Sequence, residues 1–236
     1  MFKAAFRKRV EPFVPKFVFR WIDPFHTALH RHLTEFARSV PEGALVLDAG
    51  AGECPHAPLF ARDRYVKLDR GIGDRTWDYG RIDVQGDIES LPFADGTFDA
   101  VVNIQVLEHL KEPRACVAEM ARVLKPGGRL ILTTVQCWEI HQHPNDFFRY
   151  TRYGLEYLFE KAGLEARVEA LGGLFWVIAF RLMAILSFFQ QGWRWIFFPI
   201  LAPVFGFVIP VICYFLDPAD RKRDYTLGYF CWCRKR

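Results

Sequence analysis

The chain has 236 residues, of which 51% are hydrophobic and 25% charged, and this composition excludes an intrinsically disordered or collagen-like protein. The length suits one globular domain of ordinary to large size. The formal net charge of +4 is too small to predict a nucleic-acid partner.

Aromatic residues make up 16% of the chain, and they are distributed unevenly. Residues 173–216 contain nine of the 23 Phe and only two charged side chains, Arg181 and Arg194. Six more Phe lie in residues 2–25, together with six Lys and Arg side chains. The chain therefore combines an ordinary soluble domain with two apolar, aromatic additions.

The N-terminal segment, residues 1–40, mixes apolar and basic side chains in its first half. Pro12 and Pro15 prevent one long helix there, so residues 2–22 are predicted to form short interfacial or docking segments. No signal peptide is predicted, because these residues lack a long apolar stretch and a cleavage site. Residues 25–38 have the apolar spacing of a helix.

An alternating pattern of strands and longer connections follows. The predicted strands cover residues 44–48, 65–69, 82–86, 98–104, 129–135, 164–171 and 225–233. The predicted helices cover residues 115–124 and 151–162, the second with Thr151 as N-cap and Gly163 just beyond its end. Strands separated by helix-length segments predict a doubly wound parallel α/β sheet.

The strongest local motif is Gly50-x-Gly52, which directly follows the first strand. Glycine at such a position permits a tight turn and a close approach of the backbone to a ligand. Asp69 lies 19 residues beyond Gly50, at the end of the next strand, where a carboxylate can accept hydrogen bonds from both hydroxyls of a ribose. The pair predicts a nucleotide-type cofactor at the carboxyl edge of the sheet.

Four segments in register carry a resemblance to a known family. VLDAGAGEC, YVKLD, GDIESLPFADGTFDAVVNIQVLEHL and EMARVLKPGGRLILTT together resemble a class I S-adenosylmethionine-dependent methyltransferase of type 11 across residues 44–171. The resemblance implies a Rossmann-like sheet of seven strands in the order 3-2-1-4-5-7-6, with the last strand antiparallel, and S-adenosylmethionine as cofactor. The methyltransferase domain would comprise residues 41–172 and 224–236.

The resemblance also implies which residues bind the cofactor. Asp48, Gly50 and Gly52 fall on the first cofactor motif, Asp69 on the ribose-binding acid, Asp87 and Ile88 on the adenine site, and Gln105 on the motif near the methionine part and the acceptor. Many members have a third glycine where this chain has Cys54 and Pro55.

Three residues are candidates for catalysis. His109 follows the fourth strand and is either a general base or a packing residue beneath the site. The loop after the fifth strand contains His143, which could face the acceptor, and Asp146, which could pair with Arg149 to hold the loop. In methyltransferases that modify quinone-type hydroxyls, a Glu-His pair such as Glu108-His109 is implicated, with an earlier Glu, in binding a divalent metal. The earlier position here is Gln105, a poor ligand for a hard cation, and His141 and His143 lack an evident third ligand, so no metal site is predicted.

The apolar segment of residues 173–216 interrupts the chain between the last two predicted strands. If both strands join one sheet, the chain must leave and return on the same side of a membrane, which favours a helical hairpin turning at residues 190–192. Arg194 at the tip and three prolines in the second half favour a monotopic hairpin at the cytoplasmic face over two full transmembrane helices. A soluble lid or a dimer interface is the third interpretation.

These features predict a membrane-associated methyltransferase whose acceptor is a hydroxyl or amine of a lipid, an isoprenoid quinone or a lipid-linked saccharide. A nicotinamide-dependent oxidoreductase is one alternative, although it requires a glycine where Pro55 stands. A non-catalytic module that keeps the fold and tethers partners to a membrane is the other.

Overall fold

In the computed structural model, which describes residues 15–73 and 76–236, the chain forms two compact units. The first unit, called here the sheet unit, comprises residues 31–169 and 228–236. The second, called the hairpin unit, comprises residues 170–227 and the described residues up to His30. The predicted interfacial segments before residue 15 lie outside the described residues.

Seven strands and seven helices make up the described chain. The strands are β1 (Leu45–Ala49), β2 (Arg64–Asp69), β3 (Val84–Gln85), β4 (Phe98–Ile104), β5 (Leu124–Val135), β6 (Leu164–Leu171) and β7 (Gly228–Lys235). The helices are α1 (Lys16–Ile22), α2 (Pro24–Ser39), α3 (Pro113–Val123), α4 (Arg152–Lys161), α5 (Leu174–Phe188), α6 (Phe198–Pro203) and α7 (Ile209–Leu216).

The strands form one sheet in the order β3-β2-β1-β4-β5-β7-β6, which confirms the predicted topology. Neighbouring strands from β3 to β5 are parallel, and β7 runs antiparallel to β5. The central strands β1 and β4 and the second half of β5 are largely apolar and buried, as expected for a parallel sheet covered on both faces. Their carboxyl ends therefore meet at one edge.

The connection after β1 departs from the predicted helix-length segment. It contains only a single 3₁₀ turn, Ala57–Phe60, in the described structure. Pro55 and Pro58 explain the short element, because proline removes a backbone donor and is tolerated only in the first turn of a helix.

The boundary between α3 and β5 also differs from the prediction. Residues 125–128, which lie between the predicted helix and the predicted strand, belong to the beginning of β5 as an irregular stretch. Phe98 pairs with Leu124 and Ala100 with Arg129, so the register shifts between the two pairs. Such a bulge lets the strand absorb the extra residues without losing its pairing.

Helix α4 has the predicted ends. The hydroxyl of Thr151 accepts a hydrogen bond from the backbone N–H of Gly154 at 3.2 Å, and Gly163 beyond the helix has a φ of +73°. The hydrogen bond to Thr151 satisfies an otherwise unpaired N–H of the first turn. The positive φ of Gly163 is the left-handed conformation that ends many helices.

The apolar segment folds as the predicted helical hairpin, but its prolines do not interrupt the second arm. Gly192–Ala219 is one 28-residue helical segment, long and apolar enough to cross a membrane. Pro199 and Pro210 lie in the first turns of α6 and α7, where the missing N–H is tolerated. Pro203 is followed by a π-helical turn, Val204–Val208, so it changes the helix type locally.

Packing within the hairpin unit joins its two arms and α1. The rings of Trp176 in α5 and Tyr214 in α7 are stacked with centroids 6.5 Å apart. Leu186 and Cys213 are buried between the arms. Trp21 of α1 packs against Phe215 with ring centroids 5.8 Å apart, so this helix docks on the hairpin.

Asp217, at the end of the hairpin, caps the beginning of α5. Its carboxylate is buried and accepts hydrogen bonds from the backbone N–H groups of Gly173, at 3.0 and 3.1 Å, and of Trp176, at 3.1 Å. Asp220 accepts another from the N–H of Leu174 at 2.8 Å. Two acids therefore accept hydrogen bonds from the unpaired N–H groups of the first turn. Their negative charges also interact favourably with the positive end of the helix dipole.

We expect Asp217→Ala to remove the hydrogen bonds that hold the first turn of α5. Hydrogen bonds to a buried charged group contribute about 1.5–3 kcal/mol, so amide exchange of Gly173 and Trp176 should become at least about tenfold faster. Asp220→Ala is the matched control, because within this turn its carboxylate accepts only from the N–H of Leu174, and it should have a smaller effect on the exchange of Gly173 and Trp176. Unchanged exchange in Asp217→Ala would contradict this account of the cap.

Candidate cofactor and acceptor site

The predicted cofactor residues lie at the carboxyl edge of the sheet unit. Asp69 ends β2, Gly50 follows β1, Gln105 follows β4, and Asp87 comes two residues after β3. The N–H of Gly50 donates to the carbonyl of Leu68 at 2.8 Å, which ties the glycine loop to β2. The parallel order β3-β2-β1-β4 therefore places these four positions side by side.

The glycine loop requires its glycines. Gly50 has a φ of +92°, and a Cβ there would lie 2.6 Å from Cγ2 of Val106, so no side chain fits. Gly52 has a φ of +52°, and the Trp77 ring lies next to it. Cys54 also adopts a positive φ, of +58°, so the loop keeps at this position the conformation that glycine favours.

Asp69 clamps the glycine loop to the following loop. Its Oδ2 accepts a hydrogen bond from the N–H of Gly52 at 2.9 Å, and its Oδ1 accepts one from the N–H of Gly71 at 2.7 Å. A carboxylate has about four acceptor positions, so two remain for adjacent hydroxyls. This acid fits the ribose-binding role that the sequence predicts.

The adenine and methionine positions also retain hydrogen-bonding capacity. Asp87 uses Oδ1 to accept from the N–H of Glu89 and has only a loose ion pair, at 3.6 Å, with Arg70. Ile88 is buried beside it. Gln105 has a strained φ of +55°, and its side-chain Nε2 is buried with no hydrogen-bond partner. A donor at this position fits the carboxylate of an amino-acid moiety.

Asp48 lies beneath the glycine loop and not on its surface. Its carboxyl is 1% exposed and accepts a 2.6 Å hydrogen bond from the hydroxyl of Tyr65. Burial raises the pKa of Asp48 to about 7, although the hydrogen bond from Tyr65 opposes this shift. The Asp48 side chain therefore joins β1 to β2.

The loop after β5 is held in shape by the predicted ion pair. Both carboxylate oxygens of Asp146 bond to the Arg149 guanidinium, at 2.6 and 2.7 Å, and Oδ2 also accepts from the N–H of His141. Burial alone would raise the pKa of Asp146, but these hydrogen bonds outweigh it and hold the pKa at about 2. Asp146 is thus a positioning residue, whereas the side chain of His143 is exposed.

The same loop is joined to the 3₁₀ turn Leu107–His109, which follows β4. The backbone N–H groups of Phe147 and Phe148 donate to the carbonyl of Glu108 at 2.9 and 3.2 Å. This junction brings His141 to His109, with ring centroids 4.6 Å apart at 80°. The carboxyl ends of β4 and β5 therefore share one polar, partly enclosed cluster.

Burial governs the ionisation of this cluster. Glu108 has no exposed surface, and burial raises its pKa to about 7 against the opposing hydrogen bond from Thr134. Burial likewise lowers the pKa of His109, against the hydrogen bond to the carbonyl of Asn145. His109 is accordingly neutral near pH 7.

Sequence reasoning missed several residues that shape the site. Val106 closes the space at Gly50, Trp77 covers Gly52, and Tyr65 holds Asp48. Glu108 was considered from the sequence only together with His109 and Gln105, and not with His141. None of these residues belongs to a spacing pattern, and their roles follow only from the folded loops.

Part of the chain is similar to known proteins. Residues 47–132 match the family model described as a methyltransferase domain. A probable S-adenosylmethionine-dependent methyltransferase of Mycolicibacterium smegmatis is 39% identical over 98 residues, which cover 39% of this chain and 38% of that protein. A demethylmenaquinone methyltransferase of Renibacterium salmoninarum is 37% identical over 108 residues, covering 43% of this chain and 46% of that protein.

The chain thus spans less than half the length of these two curated relatives. Among solved structures, a [4+2]-cyclase superposes with a TM-score of 0.54 and 25% identity, covering 86% of this chain and 80% of the other. Since that protein is named for a cyclisation, the fold does not by itself determine the reaction.

We expect the unusual ionisation of Asp48 to be visible in stability. Its carboxyl ionises at about 7 when folded and near 3.8 when unfolded, so the folded state binds the proton more tightly. The free energy of unfolding should therefore fall as pH rises from about 4 to about 7, by at most about 4 kcal/mol from this group.

Asp48→Asn removes this ionisation and preserves an acceptor for Tyr65. The variant should gain stability relative to the wild type at pH 8 and lose that advantage at pH 4.5, as measured by urea unfolding. A difference between the two proteins that does not change with pH would contradict the assignment.

Proposed function

We propose that this chain, whose residues 47–132 match a methyltransferase domain, is a class I S-adenosylmethionine-dependent methyltransferase that acts on a membrane-associated acceptor. The acceptor group is a hydroxyl or amine of a lipid, an isoprenoid quinone or a lipid-linked saccharide. The reaction takes place at the cytoplasmic face of a membrane, to which residues 174–216 attach the enzyme.

The observation that carries the proposal is the clamp at Asp69. This carboxylate fixes the glycine loop through the N–H of Gly52 and still has acceptor capacity for two ribose hydroxyls. Asp87 and Gln105 offer an unused acceptor and an unused donor on the two sides of it. The set matches the ribose, the adenine amine and the amino-acid moiety of S-adenosylmethionine, the donor of the family.

The chemistry makes modest demands on the protein. When bound, the cofactor supplies a methyl group on a positively charged sulfur, which keeps the electron pair of the broken bond. The acceptor oxygen or nitrogen forms the new bond to carbon and gives up a proton. The residues of this chain have to align the acceptor, exclude water and receive that proton, for which the exposed His143 is the accessible candidate.

The acceptor class is supported by two observations. One relative is named as a demethylmenaquinone methyltransferase, which acts on a quinone. The second arm of the hairpin exposes a long apolar face, with Trp193 at 74% and Ile200 at 70%. Further exposed members of this face are Trp195, Ile196, Phe197, Val204, Phe207, Val208, Ile212, Phe215 and Leu216. An apolar surface of this extent is typical of a membrane contact.

The two arginines favour a hairpin that lies in the membrane interface over one that spans the bilayer. α5 has 15 residues and a length of about 22 Å, shorter than a hydrocarbon core of about 30 Å. Arg181 is exposed at the middle of α5, so a spanning helix would place its charge at the most unfavourable depth. In an interfacial hairpin its long side chain reaches the headgroups.

Arg194, at the tip, lies over the Phe188 ring with its guanidinium carbon 4.0 Å from the ring centroid. This cation–π contact suits an interface, where the charge stays near water while the ring is in lipid. Full crossing would carry the charge through the hydrocarbon. Both arginines therefore fit the same shallow placement.

We expect Asp69→Ala to weaken binding of S-adenosylhomocysteine about 100-fold in calorimetry. The variant loses hydrogen bonds to a charged acceptor, each worth about 1.5–3 kcal/mol. Asp69→Asn separates the loss of ligand contacts from misfolding of the loop. Its amide retains one acceptor oxygen for the loop N–H groups but lacks the charge of the carboxylate. Asp95→Ala is the control, since this acid is exposed in the turn before β4, at the opposite edge of the sheet. Binding that is unchanged in both Asp69 variants would contradict the proposed cofactor site and, with it, the proposed methyltransferase activity.

We expect the purified full chain to float with vesicles of phosphatidylcholine and phosphatidylglycerol in a density gradient. Ile200→Glu should lower the partition coefficient about tenfold or more, because it removes an apolar contact of about 1.5–3 kcal/mol and adds a charge. Tyr153→Glu, at an exposed position of the sheet unit, is the control. Wild-type protein that stays at the bottom of the gradient would contradict membrane attachment.

A further inference from the structure

Three side chains with metal-binding atoms converge at the carboxyl ends of β4 and β5. Glu108 and His109 come from the 3₁₀ turn after β4, and His141 comes from the loop after β5. One potential ligand atom from each lies within 4.8 Å of the other two. The adjacency of the two loops, fixed by the carbonyl of Glu108, creates this cluster.

Each member is held by a hydrogen bond through one of its polar atoms. Oε2 of Glu108 accepts a hydrogen bond from the hydroxyl of Thr134 at 2.8 Å. Nδ1 of His109 is 2.6 Å from the carbonyl oxygen of Asn145, and Nδ1 of His141 is 3.1 Å from that of Glu139. A carbonyl only accepts, so both Nδ1 atoms carry hydrogen and both Nε2 atoms keep a lone pair.

The inner atoms of the cluster lack partners within the described chain. Oε1 of Glu108 and Nε2 of His109 are both buried and make no hydrogen bond. Glu108 is completely buried, so its unpaired carboxylate oxygen is unfavourable unless something compensates it. When Glu108 is ionised, its free oxygen and the two imidazole lone pairs are acceptors only, and a cation within reach of all three residues satisfies them.

We propose that Glu108, His109 and His141 bind one divalent transition-metal ion. Two imidazoles and one carboxylate are a ligand set used for Zn²⁺ and Fe²⁺, and they leave a coordination position for water or substrate. Imidazole nitrogen disfavours Mg²⁺ and Ca²⁺, which prefer oxygen. The hydrogen bonds from both Nδ1 atoms to backbone carbonyls match the outer interactions that orient metal-bound histidines.

The open position gives the ion a role that rests on the proposed function. An acceptor hydroxyl bound there would lose its proton more readily, because a metal ion lowers the pKa of a coordinated oxygen. His109 then acts as a ligand, and the proton passes to solvent or to His143. Ion binding itself does not depend on methyl transfer.

Equilibrium dialysis of the full chain tests the site. The protein is stripped with a chelator, dialysed against Zn²⁺ or Co²⁺, and the bound metal is measured by mass spectrometry. One equivalent is expected, and Co²⁺ should give visible absorption bands of a site with mixed nitrogen and oxygen ligands.

Glu108→Gln and His141→Ala should each weaken binding at least about tenfold. His141 is on the loop and partly exposed, so its variant avoids the folding risk of replacing a buried acid. His143→Ala is the matched control, because His143 is an exposed histidine of the same loop. This variant should still bind one equivalent of metal. Thr134→Val should weaken binding less than loss of a ligand.

Failure to bind one equivalent overturns the proposal, and so does binding that is equal in the wild type, Glu108→Gln and His141→Ala, which would place the ion on a thiol elsewhere. Calorimetry with S-adenosylhomocysteine on the same samples separates the two claims. Cofactor binding without metal refutes only the ion site, and metal binding without cofactor refutes only the proposed function.

Discussion

The hydrogen bonds from the backbone of Gly52 and Gly71 to the carboxylate of Asp69 are the interaction on which the site depends. They join the loop after β1 to the loop after β2, and neither loop contains a helix of more than a single 3₁₀ turn among the described residues. A loop this short and irregular needs a partner for its N–H groups. Because that partner is a charged acceptor at a strand end, the clamp that stabilises the loop is also the group that can bind a ribose.

The second half of the site is built in the same way, by bonds between neighbouring strand ends. The carbonyl of Glu108 holds the loop after β5, the hydroxyl of Tyr150 donates to the carbonyl of Leu107 at 3.0 Å, and Asp146 pairs with Arg149. These contacts fix the loop after β5, while the Asp69 clamp fixes the loop after β1. The proposed metal cluster is a consequence, since it lies where the loops after β4 and β5 are joined.

Much of the fold was predictable because its determinants are local. Short stretches of sequence indicate the local structure in three cases. These are the buried strands that end in glycine or an acid, the helix cap at Thr151 and the apolar composition of residues 173–216. The topology and the hairpin followed from these signals and from the family resemblance, and both are confirmed. The prolines suggested that the second arm of the hairpin would be interrupted. The arm stays helical, because a π-helical turn follows Pro203.

The remaining features were not predictable, for a physical reason. Glu108 and His141 are 33 positions apart and meet only because two irregular loops bond to each other. The ring of Trp77 reaches Gly52, and Cys54 adopts a left-handed conformation, without any periodic pattern. Contacts of this kind depend on loop geometry, which spacing along the chain does not encode.

The central claim is that the residues around Asp69 bind a methyl donor for transfer to a membrane-associated acceptor. The most direct test incubates the purified full chain with S-adenosylmethionine labelled in its methyl group and a membrane lipid extract, and identifies labelled products by mass. The account predicts a labelled lipid-soluble product with the wild type and none with Asp69→Ala. Equal labelling with both proteins, or no labelled product with a wild type that binds the cofactor, would contradict it.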